Sequence, residues 1–392
     1  MSLILIVYVS SLLSLLVGYA VGYFRIFRRG WTFQLANSHE EKTSRGIDVV
    51  VPVRDESDLL ESKLHNLHSQ TYPHELFDVI VVDSCRDDAV AQVIDRVSQD
   101  HKDLRLITIK DNTGQGKYHA LNLAFRTCRS DFVIVTDVDV LTDHDGIEKL
   151  MRNFDDPKVG AVSAMETDEN QFGELRAYRN FYNILRLAES RLDSVVMCES
   201  NFSAYRRKLI DELPGDTQCD DLALTAPVLS KNYRAIYDPR VLFYEKQRNL
   251  TRFRMLSQKL RRARANVHEL LKTVAAEKGN FPPVFRNLIL PFEIFVHVLG
   301  PALFLVCLAS LLLLVGTSNS ILLVLVASFV PLALAVVAGG YLSARISKSP
   351  SLISILKMGL AITYAFIEYN MILLIACGLV AFKGPQTSWK RP

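Results

Sequence analysis

Residues 131–139 read DFVIVTDVD. The run Asp131–Asp137 is β-branched and apolar between its terminal aspartates, the composition of a buried strand. It ends in Asp137-Val138-Asp139, so two carboxylates one residue apart emerge where the strand stops. Outward from it, IDVVVPV (47–53), FDVIVVD (77–83) and LRLITI (104–109) are runs of the same kind. Helical patterns over 57–70, 88–101 and 117–126 separate them. This alternation predicts an α/β fold of βαβ units around a mostly parallel mixed sheet. Ligands of such sheets bind beyond the carboxyl ends of the strands. Those ends carry Arg54-Asp55-Glu56, Asp83 and Asp137/Asp139, which the pattern brings to one rim.

The rim has no glycine fingerprint and no P-loop lysine after its first strand, which argues against a dinucleotide or P-loop site. It is acidic instead. An acidic rim can face a diphosphate only through a divalent cation, and carboxylate oxygens suit Mg2+ or Mn2+. One of Asp137 and Asp139 can take that ion while the other meets a ribose; an Asp-rich turn at a strand end offers the same pattern without either role. Asp220-Asp221 is a second acidic pair, ahead of a helical run at 222–229, where carboxylates also complement the helix dipole. Gln258, Arg261 and Arg262 lie in a helical stretch, 251–277, with apolar residues at three- and four-residue spacing and a basic opposite side. A basic amphipathic helix next to apolar spans is expected on the anionic leaflet of a membrane. That setting accounts for the charges without nucleic acid, and a net charge of +3 adds no argument for it.

The chain is 392 residues long and 49% hydrophobic, with a mean hydropathy of +0.16. Part of that apolar content is expected in lipid. Leu3 to Phe24 is uncharged, about long enough to cross a ~30 Å core, and Arg25, Arg28 and Arg29 follow it. The positive-inside rule places those arginines, and the chain after them, in the cytoplasm. A cleaved signal peptide needs a basic start and a shorter core, and both are missing here. Three more apolar segments, 287–315, 321–342 and 351–382, bring the expected count to about four spans. Four spans leave the basic tail 383–392 outside, against the same rule, so 351–366 is a candidate for a surface-lying stretch. Glu293, His297 and Glu368 fall within these segments and should face protein or water, as an acceptor pathway or as interfacial anchors. Six cysteines without a zinc spacing read as free thiols. The expected organisation is an N-terminal helix over 1–30, a catalytic domain over 43–250, an amphipathic region over 251–286 and membrane helices over 287–392, in a multi-pass cell-membrane protein.

The order of motifs resembles glycosyltransferase family 2, the GT-A-fold family of cellulose, chitin and hyaluronan synthases and ceramide glucosyltransferases. The resemblance runs through Pro52-Val53-Arg54-Asp55-Glu56, Asp83, Lys117-Tyr118-His119-Ala120-Leu121-Asn122, Asp137-Val138-Asp139, Asp220-Asp221, the stretch 232–239 and Gln258–Arg262. It implies that Asp55 or Glu56 and Asp83 contact the nucleoside of a nucleoside-diphosphate sugar. Lys117 lies near base and diphosphate, Asp137 meets the nucleotide sugar, and Asp139 holds the metal. Cys219-Asp220-Asp221 falls where the family has Thr-Glu-Asp, which makes Asp221 the general base of an inverting transfer. Gln258, Arg261 and Arg262 fall on the QxxRW motif at the acceptor and diphosphate. Arg262 replaces the tryptophan that helps processive synthases hold their acceptor. The implied activity is therefore transfer from a nucleoside-diphosphate sugar, uridine by family default, to a lipid or lipid-linked acceptor at the cytoplasmic membrane face. A processive polysaccharide synthase that extrudes its product, and an inactive membrane scaffold that keeps the fold, are the alternatives.

Overall fold

Strands form where the β-branched runs stand. The computed structural model describes residues 2–30, 45–54, 56–167, 174–245, 251–276, 281–317 and 352–384. In it β1 (Ile47–Val53) and β2 (Phe77–Asp83) have the bounds the sequence predicts. β3 (Arg105–Lys110) and β4 (Phe132–Thr136) lie within a residue or so of theirs. Four further strands follow: β5 (Val140–Thr142), β6 (Val159–Glu166), β7 (Phe202–Arg206) and β8 (Arg234–Glu245). All eight form one sheet in the order β3-β2-β1-β4-β7-β6-β8-β5.

The first four strands are mutually parallel, with Val53 opposite Asp83 and Asp83 opposite Lys110. β7 runs antiparallel to both β4 and β6, while β6 and β8 are parallel. The sheet is therefore mixed, and its carboxyl rim collects the ends of β1, β2 and β4 with the beginning of β7. After the N-terminal helix α1 (Ser2–Gly30), helices α2 (Ser57–His68) and α3 (Ala89–Asp100) return the chain between the first strands. The core between them is aliphatic, built on Val49, Val51, Val79, Val81, Leu60 and Leu64, all fully buried.

The chain divides into two units. The sheet belongs to the larger, Arg25–Ser257 and His268–Pro291 with the C-terminal 385–392; the other comprises Met1–Phe24, Gln258–Val267 and Phe292–Gly384. Among the described residues three helices are long and apolar enough to cross a membrane, Leu3–Arg28, Phe285–Thr317 and Thr363–Lys383, which mark a membrane protein. The expected span 321–342 lies outside the described residues. The last segment is one continuous helix, Leu352–Lys383.

Within the helical unit, polar groups meet one another instead of lipid. Glu293 and His297 are buried, and His297 Nδ1 lies 3.2 Å from the Glu293 carboxylate. Tyr369 Oη reaches His297 Nε2 at 3.3 Å. Pro301 has no N–H to give the carbonyl of His297; Cys377 Sγ donates to that carbonyl at 3.4 Å. Glu368 pairs with Lys259. All three expected polar residues thus face protein partners.

Candidate active site

Three lengths of chain meet at the carboxyl rim. The first is the turn Asp137–Val140. Val138 is buried within it, while Asp137 and Asp139 on either side stay partly exposed. The second is Glu199–Asn201. Because β7 is antiparallel to β4, Phe202 lies opposite Thr136, and Thr136 Oγ1 donates to the Asn201 carbonyl at 2.7 Å. The third is the first turn of the helix Asp220–Ser230.

Lys117 joins all three. It opens the helix Lys117–Thr127 directly after Gly116, whose φ of +116° is a conformation that residues with a Cβ rarely adopt. Its Nζ lies 2.7 Å from Asp137 Oδ1 and 2.7 Å from Asp220 Oδ2, and donates to Ser200 Oγ at 3.0 Å. Burial opposes its charge, but Asp137, Asp220 and Asp221 outweigh burial and hold its pKa above the ordinary lysine value.

Ser200 is the second joint. Its hydroxyl donates to Asp220 Oδ2 at 2.6 Å, and its N–H donates to Asp221 Oδ1 at 2.7 Å. Thr225 Oγ1 ties the two segments further, accepting from the Cys198 N–H at 2.9 Å and donating to the Asp221 carbonyl at 2.6 Å. Two adjacent carboxylates therefore have unlike surroundings. Burial would raise Asp220, but the charge and hydrogen bond of Lys117 with the Ser200 hydroxyl hold it below the usual range. Burial and the Asp220 charge push Asp221 up to about 7, against Lys117 and the Ser200 amide. A carboxyl poised near neutrality suits proton abstraction; one bound to a lysine does not.

A buried lysine absent from the sequence-based candidates completes the rim. Lys63 lies on the same side of α2 as Leu60, Leu64 and Leu67 and is fully buried. Its Nζ donates to Thr136 Oγ1 at 2.6 Å and to the Val140 carbonyl at 2.7 Å, so it grips the acidic turn from both ends. Burial lowers its pKa to about 7, against the pull of Asp137 and Asp139. The signal was a lysine at an i, i+3, i+4 position of an otherwise apolar helix face. Ser200 and Asn201 carried no comparable mark.

The other candidates are placed as follows. Asp83 sits at the rim, buried, with Oδ1 accepting the Cys85 N–H at 2.9 Å and Oδ2 paired to Lys110 at 2.8 Å. Glu56 precedes α2, its carbonyl accepting the Leu59 N–H at 3.1 Å. Asp55 lies outside the described residues. Gln258, Arg261 and Arg262 lie on the helix Arg252–Ala276, in the part that belongs to the helical unit.

An eight-stranded mixed sheet whose carboxyl rim presents an Asp-X-Asp turn and a helix-borne acidic pair defines a glycosyltransferase of GT-A fold. Residues 48–214 match the model described as Glycosyl transferase family 2. Poly-beta-1,6-N-acetyl-D-glucosamine synthase of Staphylococcus epidermidis is 21% identical over 232 residues, 57% of this chain and 55% of that protein. Hyaluronan synthase of Streptococcus pyogenes is 26% identical over 183 residues, 44% of this chain and 42% of that protein. The chain spans about half the length of these curated relatives. A mannosyltransferase from Pyrobaculum calidifontis, solved in complex with GDP-Man and Mn2+, matches with a TM-score of 0.75 at 25% identity, over 97% of this chain and 99% of that one. The matched domain, the curated relatives and the structural neighbour fit a glycosyltransferase of family 2.

Proposed function

We propose that the protein transfers a sugar, with inversion, from a nucleoside-diphosphate sugar to a lipid or lipid-linked acceptor at the cytoplasmic membrane face. The observation that carries this reading is the split between Asp220 and Asp221. Lys117 and Ser200 neutralise Asp220, and the raised Asp221 is left to take the acceptor hydroxyl proton as the glycosidic bond forms. Lys117, cationic throughout the working pH range, also steadies Asp137 for the nucleotide sugar. The carboxylate oxygens of the acidic turn suit a hard divalent cation, Mg2+ or Mn2+. Asp139 is assigned that ion because it falls on the metal-holding position of the motif the sequence resembles. When bound, the cation supplies positive charge to the departing diphosphate. Lys63 keeps the turn in shape to receive it. Asp83 and the Asp55-Glu56 segment are assigned to the nucleoside, with Asp83 exchanging its Lys110 contact for the base.

The cytoplasmic orientation follows from Arg25, Arg28 and Arg29 behind the first span. The donor base is uridine by family default, and the GDP-Man bound to the mannosyltransferase neighbour makes guanosine the competitor. A processive synthase is favoured by the names of the curated relatives; Arg262 in place of tryptophan favours single transfer. The deciding experiment incubates the purified chain with labelled UDP- and GDP-sugars and membrane lipids, then sizes the product by mass spectrometry. One added sugar on a lipid supports the reading. A ladder of polymer assigns the synthase, and no transfer from any donor removes both.

A further inference from the structure

We propose that His68, His74 and Asp103 form a second metal site, for an imidazole-preferring dication such as Zn2+, at the edge of the sheet opposite the catalytic rim. α2 leaves the carboxyl end of β1 and runs back, so its last turn, with His65 and His68, reaches the amino ends of the strands. His74 lies in the 3-10 turn that feeds β2, and His101 and Asp103 lie in the loop that feeds β3. Four imidazoles and a carboxylate from three separate segments therefore gather at one place. Ligand atoms of His68, His74 and Asp103 lie within 4.8 Å of one another.

The hydrogen-bond chemistry of His74 calls for a cation. Its Nε2 is 2.8 Å from the His68 carbonyl and can approach that oxygen only as a donor. In a neutral ring Nδ1 then carries the lone pair, yet Nδ1 lies 2.5 Å from Asp103 Oδ2. Two lone pairs at that distance repel unless a positive charge, a second ring proton or a metal ion, lies between them. The other oxygen of the same carboxylate faces His68 Nε2 at 3.2 Å. Both imidazoles thus turn a ring nitrogen to one carboxylate. Bonds of about 2.0–2.2 Å to a tetrahedral ion set ligand atoms about 3.4 Å apart; a small swing of Asp103, 59% exposed, brings its oxygens to that spacing, and the imidazole nitrogens lie within 4.8 Å. A metal-bound histidine usually gives its other N–H to a carbonyl or carboxylate, as His74 does to His68. The His101 ring stacks on His68 at 3.8 Å and is itself bonded to His65 at 2.8 Å, which fixes the plane of the His68 ring. Asp103 leaves an open side where water can complete the shell.

This site differs in kind from the catalytic rim. Imidazole nitrogen suits Zn2+, whereas an all-carboxylate set suits Mg2+ or Mn2+. Occupancy would clamp the last turn of α2 to the loop before β3. The inference does not depend on the transfer reaction.

The test uses the full chain in detergent, with any polyhistidine tag removed. Zn2+ is titrated against a chromophoric indicator into the unaltered protein, His68→Ala/His74→Ala, Asp103→Ala and Asp139→Ala. The expected result is one tight equivalent in the unaltered protein and in Asp139→Ala. Affinity should weaken by at least about tenfold in the other two, together with loss of the Zn2+-dependent rise in unfolding temperature. Asp103 is exposed, so its removal leaves a folded reference even where the double variant does not fold. Unchanged Zn2+ affinity in Asp103→Ala, or loss of the tight equivalent in Asp139→Ala, would overturn the proposal.

Discussion

Lys63→Met keeps the side chain's length while deleting one charge and two hydrogen bonds. Its consequences for stability and for the site point in different directions. The pKa of Lys63 falls from 10.5 to about 7 because the amine is buried. At about 1.36 kcal/mol per pH unit this is about 5 kcal/mol of disfavoured charge. The unfolded chain binds more protons than the folded one between those two values, so this group makes the protein more stable as pH rises from 7 toward 10.5 and costs most below pH 7. Between pH 7 and pH 9 the gain is about 2 kcal/mol, or about 4–8 °C in unfolding temperature for a domain of this size. Methionine removes that slope. It also leaves Thr136 Oγ1 and the Val140 carbonyl without their donor, a loss of about 2–4 kcal/mol in total. Near pH 7 relief and loss offset each other to within a few kcal/mol, so the variant folds. The acidic turn, no longer gripped at both ends, should bind a nucleoside diphosphate with Mn2+ about 10–100-fold more weakly. The assays are thermal unfolding in detergent at pH 7 and 9 and calorimetric binding at pH 7. A variant that retains the wild-type pH slope, or binds the nucleotide as tightly as wild type, would refute this account of Lys63.

Asp221→Asn should lower kcat roughly 10²–10⁴-fold with nucleoside-diphosphate affinity kept, and the wild-type kcat/KM should fall as pH drops through about 7, where Asp221 of the free protein takes up its proton. Steady-state kinetics across pH checks both, and comparable turnover in the variant removes Asp221 as base. Asp139→Ala should abolish the divalent-cation dependence of donor binding, measured by calorimetry with and without Mn2+. In the helical unit, a Cβ on Gly22 would lie 2.1 Å from the Phe292 ring. Gly22→Leu should therefore destabilise that unit by about 1–3 kcal/mol through overpacking, read as a lowered unfolding temperature in detergent; an unchanged temperature would show the helices free to part.

The first half of the sheet was legible because β1, β2 and β4 are buried on both faces and so are written mainly in valine and isoleucine. The second half carried no such signature. β6 reads VGAVSAME, and a Cβ on its Gly160 would lie within 2.6–2.7 Å of Val228, Leu209 and Tyr233. Close packing there selects against the branched residues that announce a strand. β6 and β8 also shift register twice against each other, which breaks the alternation that pattern reading needs. The site divides the same way. Asp137, Asp139, Asp220 and Asp221 were visible as pairs of adjacent charges, and Lys117 through its family motif. Lys63 went unread because a lone lysine on a helix is usually solvated. Ser200 acts through its own N–H and hydroxyl, and no residue type announces that.

Charge at the rim explains why two neighbouring aspartates can hold different offices. Asp137, Asp139, Asp220 and Asp221 crowd four carboxyl groups around two amines, Lys117 and Lys63. Lys117 stays charged near neutrality, while burial lowers the Lys63 pKa to about 7. Negative charge is thus in excess, and the protein relieves it by distributing protons unevenly. Lys117 bonds Asp137 and Asp220 and holds the Asp220 carboxyl below the usual range. Burial and the Asp220 charge fall on Asp221, which holds its proton more tightly than an ordinary carboxyl, up to about pH 7. A nucleoside diphosphate brings further negative charge to the same rim. Only an added cation at the acidic turn can reconcile the two, and by drawing on Asp139 it would also ease the field that holds the Asp221 proton. Donor binding with its ion should therefore lower the Asp221 pKa and ready the base as the substrate arrives. A kcat profile whose acid limb lies below that of kcat/KM would carry this signature; coincident limbs would separate base activation from donor binding.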